Sequence, residues 1–188
     1  IPNQLLLEII DGCRADLQAQ RFDTWPDLRQ YTHKVACAVG LVSIKIFGCT
    51  DPGSENYAVA LGHALQLTNI IRDVGEDLSN GGRVYLPLDE LARFDYTEQD
   101  LADRVHDGRF LSLMAFQADR ATELFAEAGR LLPARDRRAL RPAAIMHSIY
   151  AKLLDKMRAD SFRVFDRRYQ LSKPRMLAIL AGHMLGKG

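Results

Sequence analysis

Apolar residues recur at helical spacing along most of the chain, and the alternating runs typical of β-strands are almost absent. A chain with this pattern buries its apolar stripes by packing helix on helix, which predicts an all-α fold. Helix start signals are Pro26 beside Asp27, Ser54 as a candidate N-cap, and Thr97 with Asp100 as a capping box. We expect helices over residues 3–18, 26–48, 55–77, 87–91, from 97, over 110–132 and 139–159, and from about 174.

A single domain is expected over residues 1–188, because 47% hydrophobic content supports a core and no linker, repeat or low-complexity tract interrupts the chain. The formal charge of +1 argues against nucleic acid as a partner. Three cysteines without CxxC spacing favour reduced thiols and a cytoplasmic location. The apolar run of residues 35–48 is interrupted by Lys45 and is too short for a membrane span. Residues 79–87, with two glycines and a proline, predict a loop or flap.

The segment QLTNIIRDVGED, residues 66–77, carries the most informative polar pattern. Its polar residues are three or four apart and therefore share one helix face: Gln66, Asn69, Asp73 and Asp77. Two carboxylates one turn apart repel each other, and the adjacent Arg72 offsets this only in part. Mg²⁺ suits such a pair, because it prefers oxygen ligands and is commonly held by one or two carboxylates together with substrate phosphates. Asn69 adds a neutral oxygen ligand, and Gln66 can donate to a phosphate.

Other candidate sites have simpler interpretations. A second DxxxD, residues 23–27, contains Pro26 and cannot place both carboxylates on one regular helix face, so Asp27 is interpreted as an N-cap. Cys37 is expected to pack within the second helix. The histidines show no HxxxH or other metal-ligand spacing and are interpreted as surface or packing residues: His33, His63, His106, His147 and His183.

Two segments resemble the squalene/phytoene synthase family. LGHALQLTNIIRDVGEDLSNGGRVYLP, residues 61–87, resembles the family's second aspartate-rich motif and the flap after it. YTHKVACAVG, residues 31–40, resembles the preceding family helix, and GLVSIKIFG, LMAFQADRA and LLPARDRRAL are similar to bacterial presqualene diphosphate and phytoene synthases. The resemblance implies an isoprenoid-synthase helical bundle around a central cavity, here without its N-terminal helices.

The resemblance also implies roles for polar residues. Asp73 and Asp77 would bind the metal, and Asn69 would assist metal and diphosphate binding. The catalytic residues would contact diphosphate or line the cavity near the reacting carbons: Tyr31, Gln66, Arg72 and Tyr150. Tyr31 and Tyr150 would in addition orient the leaving diphosphate or relay the cyclopropane proton.

Substrate binding is the third group of implied roles. The tunnel for the hydrocarbon tails would be lined by small and branched residues: Val35, Ala36, Val39 and Gly40. Arg83 and Tyr85 on the flap would close over the diphosphates, and Arg168 would contact one of them. Burial of the tails would supply binding energy of about 0.8 kcal/mol per CH₂.

The implied activity is an Mg²⁺-dependent head-to-head condensation of two farnesyl or geranylgeranyl diphosphates. It leads through a cyclopropyl diphosphate to presqualene diphosphate, squalene or phytoene, in hopanoid or carotenoid biosynthesis. NADPH is expected only if the reductive step to squalene occurs, and a peripheral membrane contact is expected for release of the lipid product.

Two alternatives stay open, a class I terpene cyclase and a non-catalytic relative such as the family's mitochondrial complex I assembly factor. The cyclase is disfavoured by Asp77 at the third position of the motif and by Arg72 before its centre. The family's first aspartate-rich motif lies upstream of the part that resembles residues 31–40. The chain as given is therefore expected not to catalyse the full reaction by itself.

Overall fold

The computed structural model describes residues 2–185, which form helices joined by short connections. A π-helical turn, His33–Cys37, lies between the second and third helices. The helices are α1 Asn3–Ala15, α2 Trp25–Thr32, α3 Ala38–Ile46, α4 Gly53–Ser79, α5 Leu88–Arg93, α6 Glu98–Ala102, α7 Gly108–Leu131, α8 Arg141–Ala159 and α9 Lys173–Met184. No strand occurs between residues 2 and 185, which confirms the all-α prediction.

Helix α4 is the central element of the bundle. It packs against α7, α3, the π-helical turn, α8 and α2. On its long contact with α7, Ala118 and Ala121 are completely buried, and small side chains there let the two helix backbones approach. Leu67 and Ile71 of α4 are also completely buried in the shared core. A polar residue on α4 is therefore either enclosed by neighbouring helices or placed at the end of the bundle.

Glycine permits a close backbone contact between α4 and the π-helical turn. A Cβ on Gly62 of α4 would lie 2.8 Å from the Cα of Cys37, nearer than such atoms approach in proteins. The π-helical turn therefore rests directly on the α4 backbone. The sequence predicted one uninterrupted helix over residues 26–48, and it gave no sign of this turn.

Helix caps were predicted with mixed success. Thr97 and Asp100 form the expected capping box at α6. Asp27 is not an N-cap: Thr24 is, and Asp27 completes a capping box by accepting from the Thr24 backbone N–H at 3.1 Å. Ser54 is not an N-cap either, because α4 begins one residue earlier, at Gly53.

The Ser54 hydroxyl makes a tertiary contact instead of a cap. It donates to Oδ2 of Asp136 at 2.7 Å, and the backbone N–H groups of Thr50 and Asp51 donate to the same oxygen at 2.9 and 2.8 Å. These bonds hold the pKa of Asp136 below its usual value, with the bond from Asp51 the largest cause. The contact fixes the start of α4 against the α7–α8 connection.

Residues 80–87 form the predicted connection after α4, which we call the flap segment. Gly81 and Gly82 adopt positive φ angles of 86° and 67°, which reverse the chain direction at little steric cost. Val84 and Leu86 are buried, so the segment packs on the bundle. No helix within residues 2–185 is long and apolar enough to cross a membrane.

Candidate active site

The last three turns of α4 bring the predicted polar residues to one face, here called the acidic stripe: Gln66, Asn69, Asp73 and Asp77. The Asn69 amide nitrogen donates to Gln66 Oε1 at 3.4 Å. Its carbonyl oxygen, Oδ1, is buried and has no hydrogen-bond partner among residues 2–185. A buried, unpaired acceptor is costly, and a bound cation or donor would satisfy it.

Asp77 is half-buried, and its surroundings are negative. Burial, the largest cause, and the charges of Asp73, Glu76 and Asp16 together raise the pKa of Asp77 to about 7, although Arg83 acts to lower it. A carboxylate in this environment gains from any added positive charge. The end of the acidic stripe is therefore electrostatically prepared for a cation.

Asp73 is held by two arginines. Arg72 donates to it through Nε at 2.8 Å and through Nη2 at 2.5 Å, a bidentate pair. Arg168 Nε lies 3.5 Å from Asp73 Oδ1 and 3.2 Å from Glu76 Oε2. The hydrogen bonds to Asp73, the largest cause, and the nearby Tyr150 raise the pKa of Arg72. Two arginines therefore already neutralise Asp73, whereas the neighbours of Asp77 are mostly acidic.

A second polar group faces Asp77 from outside α4, and we call it the Asp16 cluster. Tyr31 and Tyr85 donate their hydroxyls to Asp16 Oδ1 at 2.8 and 2.9 Å, and Arg83 Nη2 donates to the Asp16 backbone carbonyl at 2.9 Å. The two tyrosine rings stack with centroids 5.3 Å apart. Burial raises the pKa of Tyr85 to about 12 and that of Tyr31 higher still, so both phenols keep their protons.

Sequence reasoning missed Asp16. It follows the end of α1, far from the acidic stripe in sequence, and no spacing rule connects it with a residue on α4. The CRADLQ segment offers no local signal either. Only the folded chain brings α1, α2 and the flap segment to one carboxylate.

An apolar cavity of about 330 Å³ lies next to the N-terminal residues of the acidic stripe, Gln66 and Asn69. It is lined by all of the predicted tunnel residues, Val35, Ala36, Val39 and Gly40, and by Gln66, Asn69 and Tyr150. Ile44 and Tyr57 also line it, and the buried Tyr57 hydroxyl has no hydrogen-bond partner among residues 2–185. Val39, on α3, remains 43% exposed.

Seven predicted site residues lie outside this cavity: Tyr31, Arg72, Asp73, Asp77, Arg83, Tyr85 and Arg168. Tyr31 does not line it, contrary to the sequence-based expectation, because its ring stacks on Tyr85 and its hydroxyl is directed to Asp16. Arg83 and Tyr85 line a small neighbouring cavity together with Asp77. Arg168 borders a third, polar cavity of about 260 Å³ with Arg72. The candidate site thus consists of one apolar cavity and the polar groups near the C-terminal half of α4.

Comparisons with known proteins agree with this arrangement. An all-α bundle with an acidic stripe beside an apolar cavity is the isoprenoid-synthase type of fold, and the model of the squalene/phytoene synthase family matches residues 1–175. The chain belongs to the squalene/phytoene synthase family. That membership confirms the resemblance noted in the sequence.

Two relatives with phytoene synthase activity in their names align with most of this chain. The 15-cis-phytoene synthase of Synechocystis sp. is 41% identical over 186 residues, covering 92% of this chain and 55% of that protein. The phytoene synthase of Mycobacterium tuberculosis is 38% identical over 175 residues, covering 92% and 58%. The chain therefore spans a little more than half of these relatives.

Two solved structures resemble the bundle. Squalene synthase HpnC from Alicyclobacillus acidocaldarius superposes with a TM-score of 0.77 at 32% identity, over 86% of this chain and 61% of that one. A dehydrosqualene synthase in complex with ligand gives a TM-score of 0.83 at 26% identity, over 99% and 65%. The fold is shared along almost the entire chain.

Proposed function

We propose that the protein containing this chain catalyses the Mg²⁺-dependent head-to-head condensation of two prenyl diphosphates to a cyclopropyl diphosphate. The observation that carries the proposal is the acidic stripe: its Gln66 and Asn69 line the apolar cavity, Asn69 Oδ1 has no partner within residues 2–185, and Asp77 has mostly acidic neighbours. A cation-binding polar end next to an apolar cavity suits a substrate with a diphosphate head, held through the cation, and a hydrocarbon tail.

The residues present fit a magnesium ion. Asp77 and Asn69 offer oxygen ligands, and Asp73 would be a third if Arg72 bound a substrate phosphate in its place. Mg²⁺ bound there would neutralise charge on the departing diphosphate, which eases its loss from the allylic carbon. Arg72 and Arg168, which now lie against Asp73, would supply positive charge and hydrogen-bond donors to the same diphosphate.

The apolar chamber would hold a hydrocarbon tail and exclude water from the reacting carbons. Each buried CH₂ contributes about 0.8 kcal/mol, so the wall formed by Val35, Ala36, Val39 and Gly40 would provide much of the binding energy. Gln66 and Tyr150 would face the carbons next to the diphosphate, since both line the cavity near Asn69.

The Asp16 cluster would position the flap segment rather than enter the chamber. Tyr31 and Tyr85 remain protonated and donate to Asp16, and Arg83 is anchored to the same residue. In this arrangement Arg83 lies near Asp77, where it would contact an oxygen of a bound diphosphate. A proton-relay role of Tyr31 would require its hydroxyl to leave Asp16.

Among the open alternatives, condensation has the best support. The relatives at 38–41% identity are phytoene synthases, and both carboxylates of the acidic stripe are present, unlike in a relative that has lost its chemistry. For release of an apolar product we propose peripheral membrane contact, supported by the exposed Leu177 and Met184 of α9. NADPH would be needed only if squalene is formed.

The test is product formation from farnesyl and geranylgeranyl diphosphate, with and without Mg²⁺ and NADPH, by the protein encoded by the full reading frame. Asp73→Asn should lower turnover by about 10³-fold or more, because several kcal/mol of transition-state stabilisation are lost. Helix content should stay unchanged. Asp155→Asn, the same exchange at an exposed position on α8, serves as the control. Retained turnover in Asp73→Asn would refute the metal assignment.

A further inference from the structure

Two histidines and a cysteine meet where the π-helical turn crosses α4, away from the acidic stripe. His33 and Cys37 are the first and last residues of the turn, and His63 follows Gly62 on α4. One potential ligand atom from each of the three lies within 4.8 Å of the other two. Cys37 is completely buried and His63 is 2% exposed, whereas His33 is partly exposed and leaves a path from solvent.

The sequence indicated surface or packing roles for these histidines and gave no sign that two of them meet Cys37. Spacing rules compare residues within one helix, and here one member of the cluster comes from another helix. The close approach that Gly62 allows between Cys37 and α4 is what brings His63 next to the thiol. The cluster is therefore a product of tertiary packing.

The surrounding groups already orient the His63 ring. Thr32 Oγ1 lies 2.8 Å from His63 Nδ1 and donates to the Arg29 carbonyl at 3.0 Å. Metal-binding histidines commonly have the second ring nitrogen fixed by such a neighbour. Burial, with the charges of Arg29 and His33, lowers the pKa of His63 to about 4, so the imidazole is neutral at pH 7.

Two charged groups face the cluster from neighbouring positions. Arg29 Nε lies 3.5 Å from His63 Nε2, a long contact from an exposed side chain that is free to turn into solvent. Glu8 Oε2 on α1 lies 3.9 Å from His33 Nε2. Glu8 therefore offers negative charge and a fourth ligand atom, a carboxylate oxygen, on the solvent-exposed side of the cluster.

We propose that His33, Cys37 and His63 form a binding site for a transition-metal ion that prefers thiolate and imidazole ligands, with Zn²⁺ as the best match. Nitrogen and sulfur ligands in tetrahedral arrangement suit Zn²⁺ and are unsuited to Mg²⁺, so this site differs in chemistry from the acidic stripe. It does not depend on the proposed enzymatic function.

Binding requires the ligand atoms to move closer together and one proton to leave the Cys37 thiol, whose pKa burial raises to about 12. With Zn–S of about 2.3 Å and Zn–N of about 2.0–2.1 Å, tetrahedral ligand atoms lie about 3.3–3.6 Å apart, so side-chain rotation must shorten the present separations. Cys37 now donates its thiol hydrogen to the Val59 carbonyl at 3.3 Å. The ion replaces that proton, which passes to solvent as the Zn–S bond forms.

A bound ion would join the π-helical turn to α4. Val35 and Ala36 belong to the same turn and line the apolar cavity, as does Gly62 on the α4 side. We therefore assign the ion a structural role. It would hold the π-helical turn and α4, which both line the cavity, in a fixed relative position without contacting a bound substrate.

The experiment is a Co²⁺ titration of the purified protein encoded by the full reading frame, under reducing, oxygen-free conditions, followed by displacement with Zn²⁺. We expect one equivalent to bind with a thiolate-to-cobalt charge-transfer band and the intense visible bands of tetrahedral cobalt. Cys37→Ala should abolish the charge-transfer band, and Cys49→Ala, which removes a partly buried thiol elsewhere, should retain it. His33→Gln, at a partly exposed position that tolerates exchange, should weaken binding by about 100-fold.

Two further variants distinguish an ion held by these three side chains from an ion held elsewhere on the chain. Thr32→Val should weaken Co²⁺ binding by about 10-fold and leave the charge-transfer band in place, because Thr32 only orients His63. Asp77→Asn should change neither band nor affinity, whatever the outcome of the activity assay. Absence of the band in the unaltered chain, or its persistence in Cys37→Ala or at full affinity in His33→Gln, would overturn the proposal.

Discussion

The acidic stripe and the Asp16 cluster lie side by side at the end of α4, yet they are built in different ways. The stripe comes from one helix, and its carboxylates repel each other, with the pKa of Asp77 raised to about 7. The Asp16 cluster combines α1, α2 and the flap segment, and its carboxylate accepts from two tyrosines. One group of side chains is poised for a ligand, whereas the other already has its partners. Removing a carboxylate should therefore have opposite effects on stability in the two places.

The largest effect is expected for Asp16→Ala. Two buried phenols would lose their acceptor, which costs about 2–4 kcal/mol and lowers Tm by roughly 5–15 °C. Thermal unfolding followed by circular dichroism measures this. Asp11→Ala, at an exposed position on α1, is the matched control and should change Tm little. An equal loss in both variants would mean that α1, not the Asp16 cluster, determines the effect.

A smaller effect of opposite sign is expected for Asp77→Asn in the metal-free chain. The folded pKa of about 7 exceeds the usual 3.8, so this carboxyl stabilises the fold below about pH 4 and that contribution is lost as pH rises to 7. At pH 8 the variant should be more stable by about 1 kcal/mol, or roughly 2–4 °C in Tm. The gain should vanish at pH 4.

Mg²⁺ bound at the acidic stripe should reverse this difference in Tm between the unaltered chain and Asp77→Asn. Added Mg²⁺ should raise the Tm of the unaltered chain at pH 8 and leave Asp77→Asn unaffected, because the ion binds only the folded carboxylate. Differential scanning fluorimetry over a series of Mg²⁺ concentrations measures both. A similar shift in the two proteins would place the binding elsewhere.

The smallest effects belong to the tyrosine hydroxyls. Tyr31→Phe and Tyr85→Phe should each cost about 1 kcal/mol, since each removes one hydrogen bond to Asp16. Because both hydroxyls bind the same oxygen, the double variant should cost less or more than the sum, and a double-mutant cycle in urea measures this coupling. Strict additivity would show that the two contacts are independent.

The comparison also shows what could be predicted from sequence. The acidic stripe depends on the spacing of Asn69, Asp73 and Asp77 within one helix, so helical periodicity was sufficient to predict it. The bundle itself followed from apolar periodicity and caps such as Thr97 with Asp100. Local rules of this kind describe residues that are close in the chain.

What sequence could not supply is the contact between distant segments. Asp16 meets Tyr85, and Cys37 meets His63, only because helices cross at particular points and glycine allows close approach. Ser54 was predicted as an N-cap, but its hydroxyl donates to Asp136, a residue that follows α7 in the chain. Each of these depends on tertiary packing, which no spacing rule contains.

The π-helical turn has a consequence for the wall of the cavity. The π turn takes up one residue more than a turn of regular α-helix, about 100° of rotation, so side chains after it point differently from where an uninterrupted helix would place them. Tyr31, before the turn, donates to Asp16 and lies outside the cavity, whereas Val35 within the turn and Val39 after it line the cavity. Deleting a single residue between 33 and 37 would rotate half of that wall away while leaving the composition of the helix almost unchanged.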